Sequence, residues 1–191
     1  MNFLVVTGLS GAGKSMAANA LEDIGFFCID NIPAGLLPRI VDFALQGENQ
    51  LTRVAVVMDI RGLRSVEEVK TALAALDDKQ MDYDILFLDA ADPVIRRRYK
   101  ETRRVHPMTL NGQLPIDEAI RRERAILQPL RDRARYVIDT TQLSTAQTKE
   151  RICGLFLDRG QCAMSLNIMS FGFKYGLPQE ADIVLDVRCL P

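Results

Sequence analysis

The sequence predicts an α/β fold, a parallel sheet with helices on both faces, and three observations lead there. Short apolar, β-branched runs alternate with stretches of helical periodicity, the order that builds parallel strands joined by crossover helices. One of them, residues 54–58, is continuously apolar, as a strand buried on both faces must be. The first run, residues 3–7, leads directly into Gly8-Leu9-Ser10-Gly11-Ala12-Gly13-Lys14-Ser15. This G-x-x-x-x-G-K-S phosphate-binding loop (P-loop) stands between strand and helix, as its mechanism demands.

After the P-loop, Met16, Ala17, Ala20, Leu21 and Ile24 recur at helical spacing, and Gly25 stands where a C-terminal cap belongs. Residues 26–29 read as a second strand. Pro33 opens a helix whose apolar face is Leu36, Leu37, Ile40, Val41, Ala44 and Leu45. Residues 54–58 form the third strand. Ser65 and Glu68 make a capping box for a helix facing inward through Val66, Val69, Leu73 and Leu76. Residues 85–88 give a fourth strand, and Asp92-Pro93 supply an N-cap and a first-turn proline for the next helix. His106-Pro107 is expected to stop that helix, leaving 105–114 as a loop. Pro115 starts another helix, which Pro129 should bend or break. Residues 136–138 are a fifth strand, followed by a helix from Ser144 to Gly160. Five strands joined by crossovers predict a P-loop NTPase, kinase-like five-stranded parallel sheet over residues 1–160. Residues 161–191 read as the start of an incomplete C-terminal unit, with strands at 163–169 and 183–187.

Composition sets the outer limits. The 191 residues are 48% apolar and 26% charged, which is ordinary for a globular protein. No apolar run is long enough to span a bilayer and no signal peptide is present, so a cytoplasmic protein without membrane association is expected. Cys28, Cys153, Cys162 and Cys189 show no C-x-x-C spacing, and with one histidine they suggest no zinc site. Charge is unevenly placed: residues 96–135 hold 12 of the 24 Lys and Arg but 5 of the 25 Asp and Glu. Such a basic block either holds an anionic ligand or forms solvated helix faces.

The chemistry starts at the P-loop. Its glycines let the backbone curl until N–H groups converge on a phosphate, and the following helix adds its positive dipole end. Lys14 reaches β- and γ-phosphates, and the Ser15 hydroxyl suits Mg²⁺. Gly8, Leu9, Ser10, Gly11, Ala12, Gly13, Lys14 and Ser15 therefore form the expected triphosphate site. An acidic partner for Mg²⁺ is needed at a neighbouring strand end, and both Asp59 and Asp89 qualify. In kinase topology the third strand lies beside the P-loop strand, which favours Asp59 as the second metal-organising residue. Asp30-Asn31 either faces a second substrate or is an Asx-turn opening the next helix. In the stretch 96–104, Arg97, Arg98, Arg103 and Arg104 are candidate triphosphate clamps, with a solvated face as the alternative. His106 is expected to be an ordinary loop residue before proline. No N-K-x-D guanine-reading sequence is present, leaving base preference open, and no water-positioning residue stands out, which predicts slow turnover.

Further blocks carry a family resemblance: Asp30-Asn31-Ile32-Pro33, Asp59-Ile60-Arg61, the run from Arg97 to Arg104 with His106-Pro107, and Ile138-Asp139-Thr140. Ser170-Phe171-Gly172-Phe173-Lys174-Tyr175-Gly176-Leu177-Pro178 follows, then Ala181-Asp182 and Asp186-Val187-Arg188. In these blocks the chain resembles the RapZ/YvcJ family of P-loop nucleotide-binding proteins over essentially its whole length. The resemblance implies ATPase and GTPase activity, an ATP site at residues 8–15, and GTP binding at Asp59, Ile60, Arg61 and Gly62. Family members include an adaptor that delivers a small regulatory RNA to a ribonuclease and responds to an amino-sugar phosphate, features associated with a C-terminal domain. The chain departs from the family where that domain begins, with Cys189 in place of an aromatic residue.

The expected function is ATP or GTP binding with weak Mg²⁺-dependent hydrolysis, regulatory in purpose, in a possible homo-oligomer. A small-molecule or nucleotide kinase would use Asp30 and the basic lid to hold an acceptor. An RNA-binding RNase adaptor would take phosphate contacts from residues 96–135 and use nucleotide only as a switch.

Overall fold

Main-chain hydrogen bonds join five strands into one parallel sheet: β1 (Asn2–Gly8), β2 (Phe27–Ile29), β3 (Arg53–Val57), β4 (Tyr83–Asp89) and β5 (Tyr136–Asp139), in the order β2-β3-β1-β4-β5. The structure is a computed structural model and describes residues 2–46, 52–62, 65–79, 82–112, 114–157, 169–172, 176 and 183–186. The P-loop strand is central, with Val5 opposite Val56 of β3 on one side and Ile85 of β4 on the other. The crossovers are α1 (Lys14–Asp23), α2 (Leu37–Gln46), α3 (Val66–Asp77), α4 (Asp92–Thr102) and α5 (Ile116–Arg133), and α6 (Thr145–Phe156) follows β5. Helix α1 packs with α6 on one face, and α3 packs with α2 and α5 on the other.

Burial explains why the pattern folds this way. Val5, Val6, Val54, Val56, Leu86 and Leu88 are fully enclosed between the helical layers, each contributing about 1.5–3 kcal/mol by burial. Helix α1 ends in a Schellman turn: Gly25 adopts φ +88°, its N–H reaches Glu22 O at 2.9 Å, and Phe26 N–H reaches Leu21 O at 3.0 Å. Ser65 Oγ caps α3 by accepting from Glu68 N–H at 3.2 Å. Ser144 and Gln147 close a reciprocal capping box on α6.

Several local expectations shift. A 3₁₀ turn over Ala34–Leu36 precedes α2, so the regular helix begins later than Pro33. The N-cap of α4 is Ala91, because the Asp92 carboxylate is taken by Arg124, whose Nε and Nη2 donate to it at 2.9 and 2.7 Å. Helix α4 ends at Thr102, ahead of His106-Pro107, through Arg103 in the left-handed region at φ +51°. Residues Pro107–Gly112 of the expected loop form a 3₁₀ segment. Pro129 does not break α5, whose last turns are held by buried Leu127 and Leu130 and by ion pairs from Arg131 and Arg133. Helix α6 ends at Phe156 rather than Gly160. Met169 and residues 183–186 are not strand; the rest of both expected strands, with Cys162 and Cys189, lies outside the described residues. Cys28 and Cys153 are half-buried, and burial pushes the Cys28 thiol up to about 11, aided by Glu22 and Asp30. At neutral pH that thiol is unreactive.

Every loop that follows a strand emerges on the same edge. The P-loop follows β1, Asp30-Asn31 follows β2, Asp59–Gly62 follows β3, Asp89 closes β4 and Thr140 follows β5. A site assembled at this edge draws on all five strands.

Candidate functional site

The P-loop divides its polar groups into two sets. The carbonyls of Gly8, Leu9, Gly11, Ala12 and Gly13 are occupied from within the protein. Lys14 Nζ donates to Gly8 O at 2.8 Å and Leu9 O at 3.3 Å, and Arg98 Nη1 donates to Gly11 O at 2.9 Å. Thr140 Oγ1 donates to Ala12 O at 3.0 Å, and Ala17 N–H reaches Gly13 O at 3.0 Å. Among its amides, Leu9 N–H is paired with Leu88 O, Ser10 N–H with Glu123, and Ala12 N–H with Leu9 O. The N–H groups of Gly11, Gly13, Lys14 and Ser15 have no acceptor among the described residues. The loop thus presents donors in a concave turn at the head of α1, the arrangement that captures anions. Two glycines are needed for it. Gly13 caps α1 at φ +107°, and Gly8 lies so close to β4 that a Cβ would stand 2.1 Å from Leu88 O.

Lys14 and Asp59 meet beside this nest. Lys14 is buried, and its Nζ lies 3.8 Å from Asp59 Oδ1, an enclosed oxygen without a hydrogen-bond partner among the described residues. Asp89, the other candidate, is saturated. Its Oδ1 accepts from Arg124 Nη1 and Ala90 N–H, both at 2.8 Å, and its Oδ2 accepts from Arg131 Nε at 3.3 Å. Ile60, Arg61 and Gly62 form one 3₁₀ turn packed on the loop after β2, where a Cβ on Gly62 would stand 3.1 Å from Ile32 O. Ser15 is exposed at the start of α1, and its hydroxyl makes no hydrogen bond among the described residues. Asp30 is exposed and its Oδ1 accepts from the N–H of the adjacent Asn31, at φ +57°; the expected Asx-turn is not formed, because the N–H it needs, that of Ile32, reaches Val57 O at 3.2 Å.

Two side-chain clamps fix the loop. In front, Arg98 Nη2 donates to Thr140 O at 2.8 Å while its Nη1 holds Gly11 and the Thr140 hydroxyl. Behind, Glu123 of α5 is fully enclosed. Its Oε1 accepts from Ser10 N–H at 3.0 Å and from Ser10 Oγ–H at 2.7 Å, and its Oε2 lies 3.0 Å from His106 Nε2. His106 Nδ1 accepts from Met108 N–H at 3.2 Å, so the ring proton sits on Nε2 and is donated to Glu123. Tyr99 packs against His106 at a 53° tilt with ring centroids 5.1 Å apart, and its edge stands 3.3 Å from where a Cβ on Gly11 would lie. Burial pushes the Tyr99 phenol up to about 12, which keeps it neutral. His106 is therefore a buried structural partner of the P-loop, not an ordinary loop residue. Glu123 escaped the sequence analysis. Its signal was a charge inside the apolar stripe Ala119, Ile120, Leu127 and Leu130, since a lone carboxylate on a buried face needs donors.

The basic block is mostly neutralised within the protein. Arg96 pairs with Asp117, Arg97 with Glu101, and Arg121 and Arg122 with Glu118. Arg124 and Arg131 pair with Asp89, Arg133 with Asp77, and Arg135 with Asp84. The charge excess is thus met largely by aspartates that lie earlier in the chain, a third possibility beside ligand or solvent. Arg97 is exposed with a long contact to Glu101 of 3.7 Å, worth little in water. Lys100, Arg103 and Arg104 are exposed and make no ion pair among the described residues.

A cavity of about 210 Å³ adjoins the P-loop, lined by Gly11, Gly13, Met16, Arg98, Thr140 and Leu143 among others. A larger one, about 550 Å³, opens at the opposite edge of the sheet between Phe26, Arg53, Tyr83, Tyr136 and Phe156. It lacks a glycine nest, and we place the site at the smaller cavity, where the unpaired amides are. No helix among the described residues is long and apolar enough to cross a membrane.

Solved structures with this architecture include a tunicamycin resistance protein of Deinococcus radiodurans, with a TM-score of 0.55, 16% identity, and coverage of 81% of this chain and 94% of that one. Shikimate kinase from Acinetobacter baumannii, in complex with shikimate, aligns with a TM-score of 0.52 and 18% identity over 80% of this chain and 91% of that one. These likenesses establish the kinase-like P-loop fold. Curated relatives named "Nucleotide-binding protein" are closer in sequence. That of Ruminiclostridium cellulolyticum is 45% identical over 100% of this chain, and that of Acetivibrio thermocellus 46% identical over 100%. The chain spans about 65% of the length of each. The family described as the RapZ C-terminal domain matches residues 164–191, and the RapZ-like N-terminal domain matches residues 1–160. The chain therefore belongs to the RapZ-like family of nucleotide-binding proteins.

Proposed function

We propose that this chain binds ATP or GTP through the P-loop and hydrolyses it slowly with Mg²⁺. The observation that carries this is the division of the loop's polar groups, with carbonyls bonded inward and the N–H groups of Gly11, Gly13, Lys14 and Ser15 left unpaired. Polyphosphate oxygens satisfy those donors, and Lys14 Nζ exchanges its carbonyl contacts for charge-assisted bonds to the same oxygens. The cavity between Arg98, Thr140 and Leu143 suits the nucleoside, while Asp59, Ile60, Arg61 and Gly62 stand at the phosphate end beside Lys14. That position favours a phosphate or metal role for residues 59–62 over recognition of a guanine base.

The donor set fits Mg²⁺. Asp59 Oδ1 is enclosed without a hydrogen-bond partner, and the Ser15 hydroxyl is uncommitted, a sparse oxygen set of the kind that holds this ion mainly through water and phosphate. When bound, the ion neutralises charge building on the transferred phosphoryl group. The protein's own part is to hold the triphosphate on amides, shield it with Lys14, and orient it by Arg98 and Thr140. Slow turnover follows from the carboxylates at this edge. Asp89 is saturated and Glu123 is locked behind the loop, leaving few groups to orient water.

Regulation is the role these properties serve best, because a slow hydrolase spends most of its cycle in one nucleotide state. A kinase role has two observations in its favour: Asp30 is exposed at the same edge, and Arg61 has no ion-pair partner among the described residues. RNA contact by residues 96–135 has less support, because most of that block's cations are already paired. The test is phosphate release from Mg·ATP and Mg·GTP, with polyols and sugars present as acceptors. Free phosphate in all mixtures supports the NTPase, whereas label on an acceptor assigns a kinase.

A further inference from the structure

The enclosed Glu123–His106 pair holds the P-loop from behind. A carboxylate directly behind an anion nest is electrostatically costly, and apolar side chains of similar volume would fill the space more cheaply. Yet Glu123 accepts three hydrogen bonds, two from P-loop Ser10 and one from His106. It also decides which way the Ser10 amide points: that N–H is turned back into the protein, while those of Gly11 and Gly13 are left unpaired among the described residues.

The other end of the bridge lies on the segment after α4. His106 follows Arg103 and Arg104 after one residue, Val105; its own carbonyl accepts from Thr109 N–H at 2.9 Å and Thr109 Oγ1 at 2.8 Å, and its ring packs on Tyr99, whose edge stands 3.3 Å from where a Cβ on Gly11 would lie. Ser10 of the P-loop, Glu123, His106 and Thr109 therefore share one enclosed hydrogen-bonded unit, from which the exposed residues 100–105 lead back to α4. We propose that Glu123 is a positioning residue that ties the conformation of the P-loop to the seating of His106, so that nucleotide on the loop and the arrangement of residues 103–109 bias one another. Linkage makes this reciprocal: whatever strengthens one arm of the bridge strengthens the other. The inference rests on the nucleotide site proposed above and adds a route by which its occupancy reaches the exposed arginines.

His106 is the one histidine of the chain, so imidazole ¹⁵N spectra of the histidine-labelled full chain contain a single ring system. The unliganded protein should show the Nε2–H tautomer. Saturation with Mg·ATP, verified by calorimetry on the same sample, should shift the His106 signals although the ring is enclosed and touches no ligand. Glu123→Gln keeps the size and an acceptor for Ser10 but opposes an amide N–H₂ to the Nε2–H. We expect it to lose the native tautomer signal and weaken nucleotide binding by about five- to fifty-fold, within the span of ordinary site coupling. Ser10→Ala, which removes only the hydroxyl arm, should fold and show a reduced response. Calorimetric binding with an unmoved His106 spectrum in the wild type overturns the coupling alone, even where Glu123→Gln does not fold. Absence of any binding overturns the nucleotide site and the coupling with it.

Discussion

Thr140 Oγ1 donates to Ala12 O at 3.0 Å, joining the residue after β5 to the middle of the P-loop across 128 residues of sequence. The same hydroxyl accepts from Arg98 Nη1 at 3.1 Å, and the Thr140 main chain pairs with Asp89 O and with Arg98. One buried threonine thus links the P-loop, β4, β5 and α4.

Thr140→Val should accordingly strip Ala12 O of its donor and Arg98 of an acceptor while preserving shape. We expect a loss of about 1–3 kcal/mol in urea unfolding and weaker nucleotide binding. Thr140→Ser should retain most of both. An unaltered unfolding midpoint in the valine variant would show that the link carries no energy.

Gly8→Ala should be among the most damaging small substitutions. The added methyl would overlap the Leu88 carbonyl, which belongs to the central pair of strands and cannot move aside. A destabilisation of about 3–5 kcal/mol is expected, read as a large fall in thermal midpoint. Gly154→Ala, where a Cβ meets nothing within 4 Å, should be tolerated or mildly stabilising.

The two strand-end aspartates should separate in experiment. Asp89→Asn disturbs the network with Arg124 and Arg131 and should cost about 1–3 kcal/mol of stability, with nucleotide affinity little changed. Asp59→Asn should fold normally and lose about ten- to a hundred-fold in Mg²⁺ dependence of turnover, as for groups that act on a metal through its waters. The opposite pattern, with Asp59 structural and Asp89 needed for turnover, would reverse their roles.

Acid sensitivity should follow Asp139, whose carboxyl is held below its ordinary 3.8 by bonds from the Thr141 hydroxyl and N–H. A lowered folded-state value means stability present above pH 3.8 and lost as pH falls through the folded value. The stability difference between wild type and Asp139→Asn should be constant near neutrality and shrink below pH 3.8. A difference that persists unchanged at lower pH would place the contribution elsewhere.

Much of this was legible in the sequence because it is local. The P-loop, the Gly25 turn and the Ser65 and Ser144 caps are each written in a few adjacent residues, and β-branched runs mark strands that end buried on both faces. Beyond shifted helix ends, the failures that matter for the site are long-range. Asp92 has the chemistry of an N-cap, yet Arg124, 32 residues on, claims its carboxylate. The excess charge of 96–135 leaves both a ligand site and solvated helix faces open in the sequence, because its partners Asp77, Asp84 and Asp89 precede it in the chain. Glu123 was hidden because nothing beside it in sequence reveals that Ser10, 113 residues away, supplies its donors.

Titration calorimetry of Mg·ATP and Mg·GTP into the wild-type chain and Lys14→Ala addresses the central claim most directly. The unpaired amides and the buried ammonium predict saturable binding to wild type and a loss of about 1.5–3 kcal/mol in the variant, from one or a few charge-assisted contacts. Folded wild-type protein that gives no heat and no saturation with either nucleotide, or a Lys14→Ala chain that binds as tightly as its parent, would contradict it.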